Sequence, residues 1–432
     1  MDTGLLLTVR GRRARVSGAS DGTLYTVCFV RSSRKSARGL IESFRRQMRS
    51  GVSKMSRVSK VLKRWSTDQL IIGIEFRDWF ELLAKNDFKV SPTYFHRAAW
   101  ITGWTLPATV FGKIEDAMYG RQLAAMEVDP TPIFLLGHWR SGTTHLHNCI
   151  GRDPNHTFPT VYQAVFPTCF LSTERFLPEM ASGLLGETRT YDNVKQGWEE
   201  AAEDEIALAK LHGLSPYISF MFPDNAARYE RYVDFDEASE AERRKWKETF
   251  IYFIKKVMLS AGGKRAIIKS CTHSARIPML LDMFPDAKFV HIHRNPFEVF
   301  ASTLHMRSHT DWENFFQLPE ENYEGQRMEQ TAITGTRIFE RLIEDRKLIP
   351  EENFVEIAYE DFAGNELEHL DHIYTKFDLP DKETYLETIA EYLESLKGYK
   401  RNKLEIDEDL KQLVLDRWGF VFDEFGYSKE YS

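Results

Sequence analysis

The sequence predicts an α/β fold in which a P-loop-type central parallel sheet is flanked by helices. The apolar run 132–136 ends in a glycine-bracketed loop, which opens directly into a helical pattern. Two further short apolar runs, 266–269 and 288–293, are separated by a helical segment, as in a β-α-β unit. Ligands of open parallel sheets bind at the carboxyl ends of the strands, so we expect a site where these three runs end.

Composition sets the size of the fold and its charge. The 432 residues are 42% hydrophobic and 28% charged, which suits one large α/β core or two modest domains. Residues 1–64 contain 16 Lys and Arg against 3 Asp and Glu, whereas the whole chain has a formal net charge of −7. The body is therefore strongly acidic, which argues against nucleic acid as a partner.

The basic segment 1–64 predicts an arm rather than part of the core. Its Arg- and Ser-rich, acid-poor composition is shared by organelle transit peptides, but a disordered solvated arm, contact with anionic lipid, or a true start at Met48 or Met55 fit equally. We favour disorder or a later start over targeting. Peripheral membrane contact through the arm stays open.

Four cysteines at wide, irregular spacings form neither a metal-binding pair nor a disulfide framework, which favours a reducing, cytoplasmic compartment. We expect no metal. Residues 98–112 form the most apolar stretch, but about 20 residues are needed to span a bilayer, and Pro107 interrupts the run. A core or surface helix is favoured over a membrane span.

The remaining elements follow in order. Apolar residues recur at helical intervals over 70–83, so a helical preface is expected to begin near residue 65. Residues 158–260 are rich in aromatics, include the acidic run 199–205, and end in an amphipathic helix. This stretch is expected to be a largely helical insertion that forms a wall over the site.

The glycine-bracketed loop has a modified Walker pattern. Gly137 and Gly142 lie five residues apart, a spacing that lets backbone N–H groups surround an anion at a helix N-terminus. Thr143 stands where the Walker lysine is expected, Thr144 where Ser or Thr holds magnesium, and Arg140 places a cation inside the loop. The loop therefore suits a phosphate, but not ATP with magnesium.

The loop from His138 to Thr144 resembles the 5′-phosphosulfate loop of sulfotransferases that use 3′-phosphoadenosine 5′-phosphosulfate (PAPS). Arg294-Asn-Pro, followed by Ser302, is similar to the 3′-phosphate motif of that family. The resemblance spans about 130–365 and implies a PAPS co-substrate without metal. It implies that Arg140 contacts the bridging oxygen, and that the donor is bound by His138, Trp139, Arg140, Ser141, Gly142, Thr143, Thr144, Arg294 and Ser302.

Under this interpretation the chain divides into the arm 1–64 and a sulfotransferase domain 65–432. The domain comprises the helical preface 65–130, the nucleotide-binding core at about 130–365, and a helical C-terminal part 366–432. Many family members close a basic loop over the nucleotide, and the segment 397–403, with Lys400 and Arg401, is the candidate. The dimer motif of the cytosolic branch is absent, so the oligomeric state is undetermined.

Two candidates compete for the general base. His273 follows the strand that ends at Lys269, and a neutral imidazole suits proton removal near pH 7. Cytosolic members have Lys-Thr-His, however, whereas in this chain His273 is the fourth residue after Lys269. The alternative is a carboxylate of the run Glu203, Asp204 and Glu205, although such runs are usually solvated. His145 and His147 are expected to pack rather than bind metal.

The leading function is transfer of a sulfuryl group from PAPS to a hydroxyl or amine of a small-molecule, lipid or glycan acceptor. A non-canonical P-loop kinase or NTPase would need a lysine after Gly142 and a magnesium-binding Asp at a strand end, and the chain offers Thr143 and Arg294 instead. A non-catalytic PAPS-binding protein is the third alternative. The sequence does not decide the acceptor.

Overall fold

The computed structural model describes residues 70–180, 197–396, 404 and 406–431. The basic arm 1–64 and the candidate basic loop 397–403 lie outside these residues, so both remain sequence predictions. The division of the chain into domains likewise stays a prediction.

The described residues contain one five-stranded parallel sheet. The order is β2-β3-β1-β4-β5, with β1 at the centre: Phe134 lies opposite Ile268 of β3 on one side and Phe289 of β4 on the other. The predicted parallel sheet is confirmed. The strands are β1 (Ile133–Leu136), β2 (His156–Thr157), β3 (Arg265–Lys269), β4 (Lys288–His293) and β5 (Phe354–Ala358).

Helices cover both faces of the sheet. Their bounds are α1 (Phe76–Lys85), α2 (Phe95–Ala125), α3 (Thr143–Ile150), α4 (Val161–Val165), α5 (Phe170–Thr173), α6 (Leu177–Met180), α7 (Asp204–His212), α8 (Ala226–Glu230), α9 (Glu240–Ser260), α10 (Ile277–Met283), α11 (Pro296–Asn314), α12 (Tyr323–Asp345), α13 (Tyr359–Phe362), α14 (Glu366–Lys376), α15 (Lys382–Ser395) and α16 (Glu408–Phe425). The insertion between β2 and β3 is helical where it is described, as expected.

Two helix predictions need correction. Residues 70–73 form a turn, and α1 begins only at Phe76, so Ile72 and Ile74 are not helical. Pro107 does not interrupt α2, which runs through it for 31 residues. A proline inside a helix removes one backbone hydrogen bond, and the long helix tolerates this loss. Among the described helices, none is long and apolar enough to cross a membrane.

The central strand explains the core. All four residues of β1 are buried, and alternate side chains point to opposite faces of the sheet. Phe134 and Leu136 join the cluster that contains Trp246 and Phe250 of α9, whereas Ile133 and Leu135 join a second cluster on the other face. This explains why the strand is a continuous apolar run rather than an alternating one. The loop after β1 thus starts from a fully buried strand at the centre of the sheet.

Candidate active site

The loop between β1 and α3 is fixed by its first glycine. Gly137 has a φ of +149°, and a Cβ on it would lie 2.5 Å from the carbonyl oxygen of Ile292 at the end of β4. Its N–H donates to Ser274 Oγ at 2.8 Å, which ties the loop to the segment after β3. The loop is therefore held between the ends of the two strands that flank β1.

The second glycine lets an aromatic ring approach the loop. Gly142 has a φ of +105°, and a Cβ there would lie 2.3 Å from the ring of Tyr359, which follows β5. The Tyr359 ring also contacts a cation, because the guanidinium carbon of Arg294 lies 4.6 Å from the ring centroid. Tyr359 thus links the end of the loop to the predicted 3′-phosphate motif.

The structure brings the predicted cations together. Arg140 Nε donates to Ser302 Oγ at 2.9 Å. Arg294 Nη1 donates to the carbonyl oxygen of Arg140 at 3.4 Å. Arg294 also pairs with Glu298, one turn into α11. Arg140 has a φ of +70°, a conformation that costs energy for a residue with a Cβ and often accompanies function.

Two helix N-termini face this cluster of residues. α3 begins at Thr143, and in its first helical hydrogen bond Leu146 N–H donates to Gly142 O at 3.2 Å. α11 begins at Pro296, where Asn295 Oδ1 accepts a hydrogen bond from Phe297 N–H at 3.0 Å, as the sequence predicted. First-turn N–H groups have no partner within the helix, so both ends favour an anion.

The end of the acidic run is not a solvated helix face: the side chains of Asp204 and Glu205 are 0% exposed and that of Glu203 is 16% exposed, whereas Glu199 is exposed. Glu203 precedes α7, and Asp204 and Glu205 open that helix. Each of the three pairs with a residue of β3 or the segment after it. The pairs are Glu203 with Lys269 at 2.7 Å, Asp204 with His273 at 2.9 Å, and Glu205 with Arg276 at 2.6 Å.

His273, one of the two candidates for the general base, lies in the core of the protein. Its side chain is 0% exposed, and its Nε2 contacts Asp204, whose side chain is equally buried. Aromatic rings surround the imidazole, with Phe134, Trp246 and Phe250 all within 6.2 Å between ring centroids. An acceptor hydroxyl would have to enter the core to reach it.

Glu203 remains partly exposed at the strand end, beside the buried Lys269. Their side chains are 16% and 6% exposed, the largest values among the three pairs. Tyr217 donates its hydroxyl hydrogen to Glu203 Oε2, and the Trp139 indole N–H donates to the Tyr217 oxygen at 3.0 Å. Burial and the neighbouring Glu203 carboxylate raise the pKa of Tyr217, which keeps the phenol protonated as a donor.

Trp139 belongs to both halves of the site. Its side chain points to the Tyr217 hydroxyl, and its backbone carbonyl accepts from Thr303 Oγ1 of α11 at 3.4 Å. The phosphate loop is thereby joined to the acidic group of the insertion through one residue. The sequence marked the aromatic segment 215–223 as a wall, but gave no signal that singled out Tyr217.

The side chain of His138 faces the core rather than the mouth of the loop. It stacks on Phe339 with 5.1 Å between centroids and meets the edge of Trp418 at 5.2 Å. Burial lowers the pKa of His138 to about 4, so the imidazole is neutral at pH 7. The backbone of His138 is therefore the part that can contact a donor in the loop, and its predicted role in donor binding stays a prediction.

The two histidines of α3 pack, as expected. His145 Nε2 is 3.0 Å from Glu366 Oε1, and His147 is buried against the edge of Phe158. Burial, and to a smaller extent Lys269, lower the pKa of His147 to about 3. Among the other predicted nucleotide contacts, Ser141 and Thr143 are buried and Thr144 is half-buried in the same turn, whereas Lys400 and Arg401 lie outside the described residues.

A family model described as the sulfotransferase family matches residues 132–383. This region contains the phosphate loop, both helix N-termini and the three ion pairs described above. The chain belongs to the sulfotransferase family. The omega-hydroxy-β-dihydromenaquinone-9 sulfotransferases Stf3 of Mycobacterium bovis and Mycobacterium tuberculosis are each 33% identical to it over 379 residues, which is 87% of this chain and 96% of each relative.

Two solved sulfotransferases share the fold. STF9 from Mycobacterium avium superimposes with a TM-score of 0.62 at 20% identity, covering 85% of this chain and 96% of its own. STF1 from Mycobacterium tuberculosis gives 0.56 at 18% identity, covering 80% of this chain and 92% of its own. The α/β fold with a P-loop-type parallel sheet is therefore that of known sulfotransferases.

Proposed function

We propose that this sulfotransferase moves a sulfuryl group from PAPS to a hydroxyl of a lipid acceptor, by in-line displacement and without a metal. The observation that supports the proposal best is that two sets of residues lie at the same edge of the sheet. Arg140, Ser302 and Arg294 form a cationic cradle around the loop, and the Glu203–Lys269 pair lies at the end of β3. A donor with two anionic groups and an acceptor hydroxyl need these two kinds of site.

The residues divide the work of donor binding. Arg294 and the α11 N-terminus suit the 3′-phosphate, and the loop N–H groups with Thr143 and Thr144 suit the 5′-phosphosulfate. Ser302 contacts Arg140 at 2.9 Å and therefore couples the two ends of the donor site. The glycines at 137 and 142 leave room for this close approach.

Glu203 is the proposed general base. As its carboxylate takes the proton of the acceptor hydroxyl, the acceptor oxygen forms a bond to sulfur, and the bond from sulfur to the bridging oxygen breaks. The electron pair of that bond passes to the 5′-phosphate of the leaving 3′,5′-bisphosphate, PAP. Arg140 and Lys269 are placed to neutralise the charge that develops there. Tyr217 orients the Glu203 carboxylate through its hydroxyl.

The acceptor class follows from the relatives. Both 33%-identical proteins are named for omega-hydroxy-β-dihydromenaquinone-9, a hydroxylated lipid. Tyr217 of the aromatic insertion contacts both Trp139 of the loop and Phe220, and this group of rings suits an apolar acceptor. A hydroxylated isoprenoid lipid is therefore our proposed acceptor, in preference to a glycan.

Transfer of radiolabelled sulfate from PAPS tests the proposal. Hydroxylated menaquinones, phenols and glycans would serve as parallel acceptors, and ATP hydrolysis would be measured beside them. We expect label on the lipid, no ATP hydrolysis, and PAP binding by calorimetry in EDTA. Magnesium-dependent binding or equal competition by ATP would favour the NTPase alternative, and PAP binding without transfer to any acceptor would favour a binding protein.

A further inference from the structure

One side of α2 exposes a continuous row of apolar side chains. Leu106, Val110, Ile114 and Met118 are 60%, 56%, 44% and 61% exposed. They recur every four residues, so they share one side of the helix, while the buried positions such as Ile101 lie on the opposite side. Residues 98–112 contain no charged side chain. An ordinary surface helix would carry charges on its exposed side.

Aromatic residues extend this row toward the start of α2 and onto its neighbour. Phe95 and Trp100 are 57% and 37% exposed on α2, and Phe76 and Phe80 are 41% and 38% exposed on α1. We call Phe95, Trp100, Leu106, Val110, Ile114 and Met118 the α2 apolar face. At 1.5 Å per residue it extends over about 35 Å, which is longer than a contact with one small ligand requires.

A strongly basic segment precedes this face in the sequence. Residues 43–67 contain eight Lys and Arg and no Asp or Glu. The described chain starts at Leu70, and Phe76 N–H donates to Thr109 Oγ1 in the middle of α2 at 2.9 Å. The nine residues from Thr67 to Phe76 can span at most about 30 Å, which is less than the length of the α2 apolar face.

We propose that the α2 apolar face docks this protein on an anionic lipid bilayer, with residues 43–67 binding the headgroups. Apolar side chains with Trp and Phe beside them, together with clustered Lys and Arg, are the combination that binds a membrane surface without crossing it. A second copy is a poorer partner, because two such basic segments would repel each other. This docking does not depend on the donor or acceptor proposed above.

Vesicle sedimentation with the full chain tests the proposal. The vesicles would contain phosphatidylcholine with about one third phosphatidylglycerol, and no PAPS would be added. The triple variant Leu106→Gln, Val110→Gln, Ile114→Gln should lower the partition coefficient by at least tenfold, because three apolar groups no longer enter the interface. Its PAP affinity should be that of the wild type.

The matched control replaces three exposed apolar residues elsewhere, Ile333→Gln, Leu348→Gln and Leu367→Gln, which are 53%, 57% and 42% exposed. Vesicle binding of this control should stay within about twofold of the wild type, since only the α2 face enters the bilayer interface.

Neutralising the basic segment is the second variant. Lys54→Gln, Arg57→Gln, Lys60→Gln and Lys63→Gln should weaken binding to anionic vesicles and reduce its dependence on salt. Failure of the wild type to bind anionic vesicles near 0.1 M salt, or equal binding by the α2 triple variant, would overturn the proposal. Loss of a wild-type dimer in that variant, measured by sedimentation without lipid, would assign the face to a second copy instead.

Discussion

At the scale of single residues, three adjacent carboxylates have different environments. Asp204 and Glu205 are 0% exposed; Asp204 contacts His273 and Glu205 forms an ion pair with Arg276, so each carboxyl group has a polar partner inside the core. Glu203, one position earlier, is held by Lys269 and remains partly exposed. The start of α7 therefore places one carboxylate at the site and directs the next two into the fold.

Glu203→Gln should separate catalysis from binding. The amide keeps the shape of the side chain but cannot take a proton, so we expect turnover to fall by roughly 10²–10⁴-fold while PAP affinity stays near wild type. Single-turnover rates and calorimetry would measure the two effects. His273→Gln is the comparison, and it should lower the melting temperature but retain most of the activity in the folded protein. The reverse pattern would restore His273 as the base.

Substitution of the two arginines of the cradle should have different effects on binding and on catalysis. Arg294→Ala removes a charge-assisted contact to a ground-state phosphate, worth on the order of 1.5–3 kcal/mol, so PAP should bind at least tenfold more weakly. Arg140→Ala should mainly slow transfer, because its partner oxygen gains charge as the sulfuryl group leaves. PAP titrations and rates with saturating PAPS would be compared. Equal losses of affinity, with no additional loss of rate in Arg140→Ala, would contradict these roles.

At the scale of elements, the phosphate loop is shaped by the elements that surround it. The carbonyl oxygen of Ile292, near the end of β4, lies close to Gly137. The ring of Tyr359, the first residue of α13, lies close to Gly142. Ser274 holds the first N–H from the segment after β3. The anion-binding geometry is thus set by contacts from three other parts of the chain.

Gly142→Ala tests this dependence. The new Cβ would clash with the Tyr359 ring, and the alanine would have to adopt a φ of +105°. We therefore expect weaker PAP binding and a lower melting temperature. Gly120→Ala in α2 is the control, because a Cβ there meets nothing within 4 Å. Alanine should stabilise that helix by about 0.5–1 kcal/mol. Unchanged PAP affinity in Gly142→Ala would show that the loop can relax.

At the scale of the whole molecule, buried histidines link folding to pH. Burial lowers the pKa of His138 to about 4 and that of His147 to about 3, whereas an unfolded histidine titrates near 6.5. The unfolded chain therefore takes up these protons first as pH falls. Their contribution to stability is complete above about pH 6.5 and is lost progressively toward pH 4.

His147→Gln should reduce the loss of stability on acidification. Each such histidine changes the free energy of unfolding by up to about 1.4 kcal/mol per pH unit in this window. Burial raises the pKa of Glu75 to about 7, which acts in the opposite direction, so the difference between variant and wild type is the informative quantity. Urea unfolding at pH 7.5, 6 and 5 would measure it. His145→Gln, at a half-buried site, is the control, and equal slopes in both variants would contradict the assignment.

The sequence by itself determined the parallel sheet, the glycine loop, the helix cap after Arg294 and the family. These features are local: a continuous apolar run, two glycines five residues apart, and an Asn-Pro cap after Arg294 each need only a short window. Short sequence patterns of this kind limit the backbone conformation directly, so these features can be predicted without knowing which distant residues pack against them. The helix through Pro107 is the exception, because packing along α2 overrides a local signal.

Only the tertiary structure decided which polar residue reaches the site. His273 and Glu203 are both polar residues beside a strand end, and the sequence favoured the histidine because a neutral imidazole suits proton removal near pH 7. Their burial depends on α9, whose Trp246 and Phe250 enclose the imidazole, and on α7, which starts 65 residues before Lys269. Desolvation and ion pairing act through such long-range contacts, and no short window of sequence contains them.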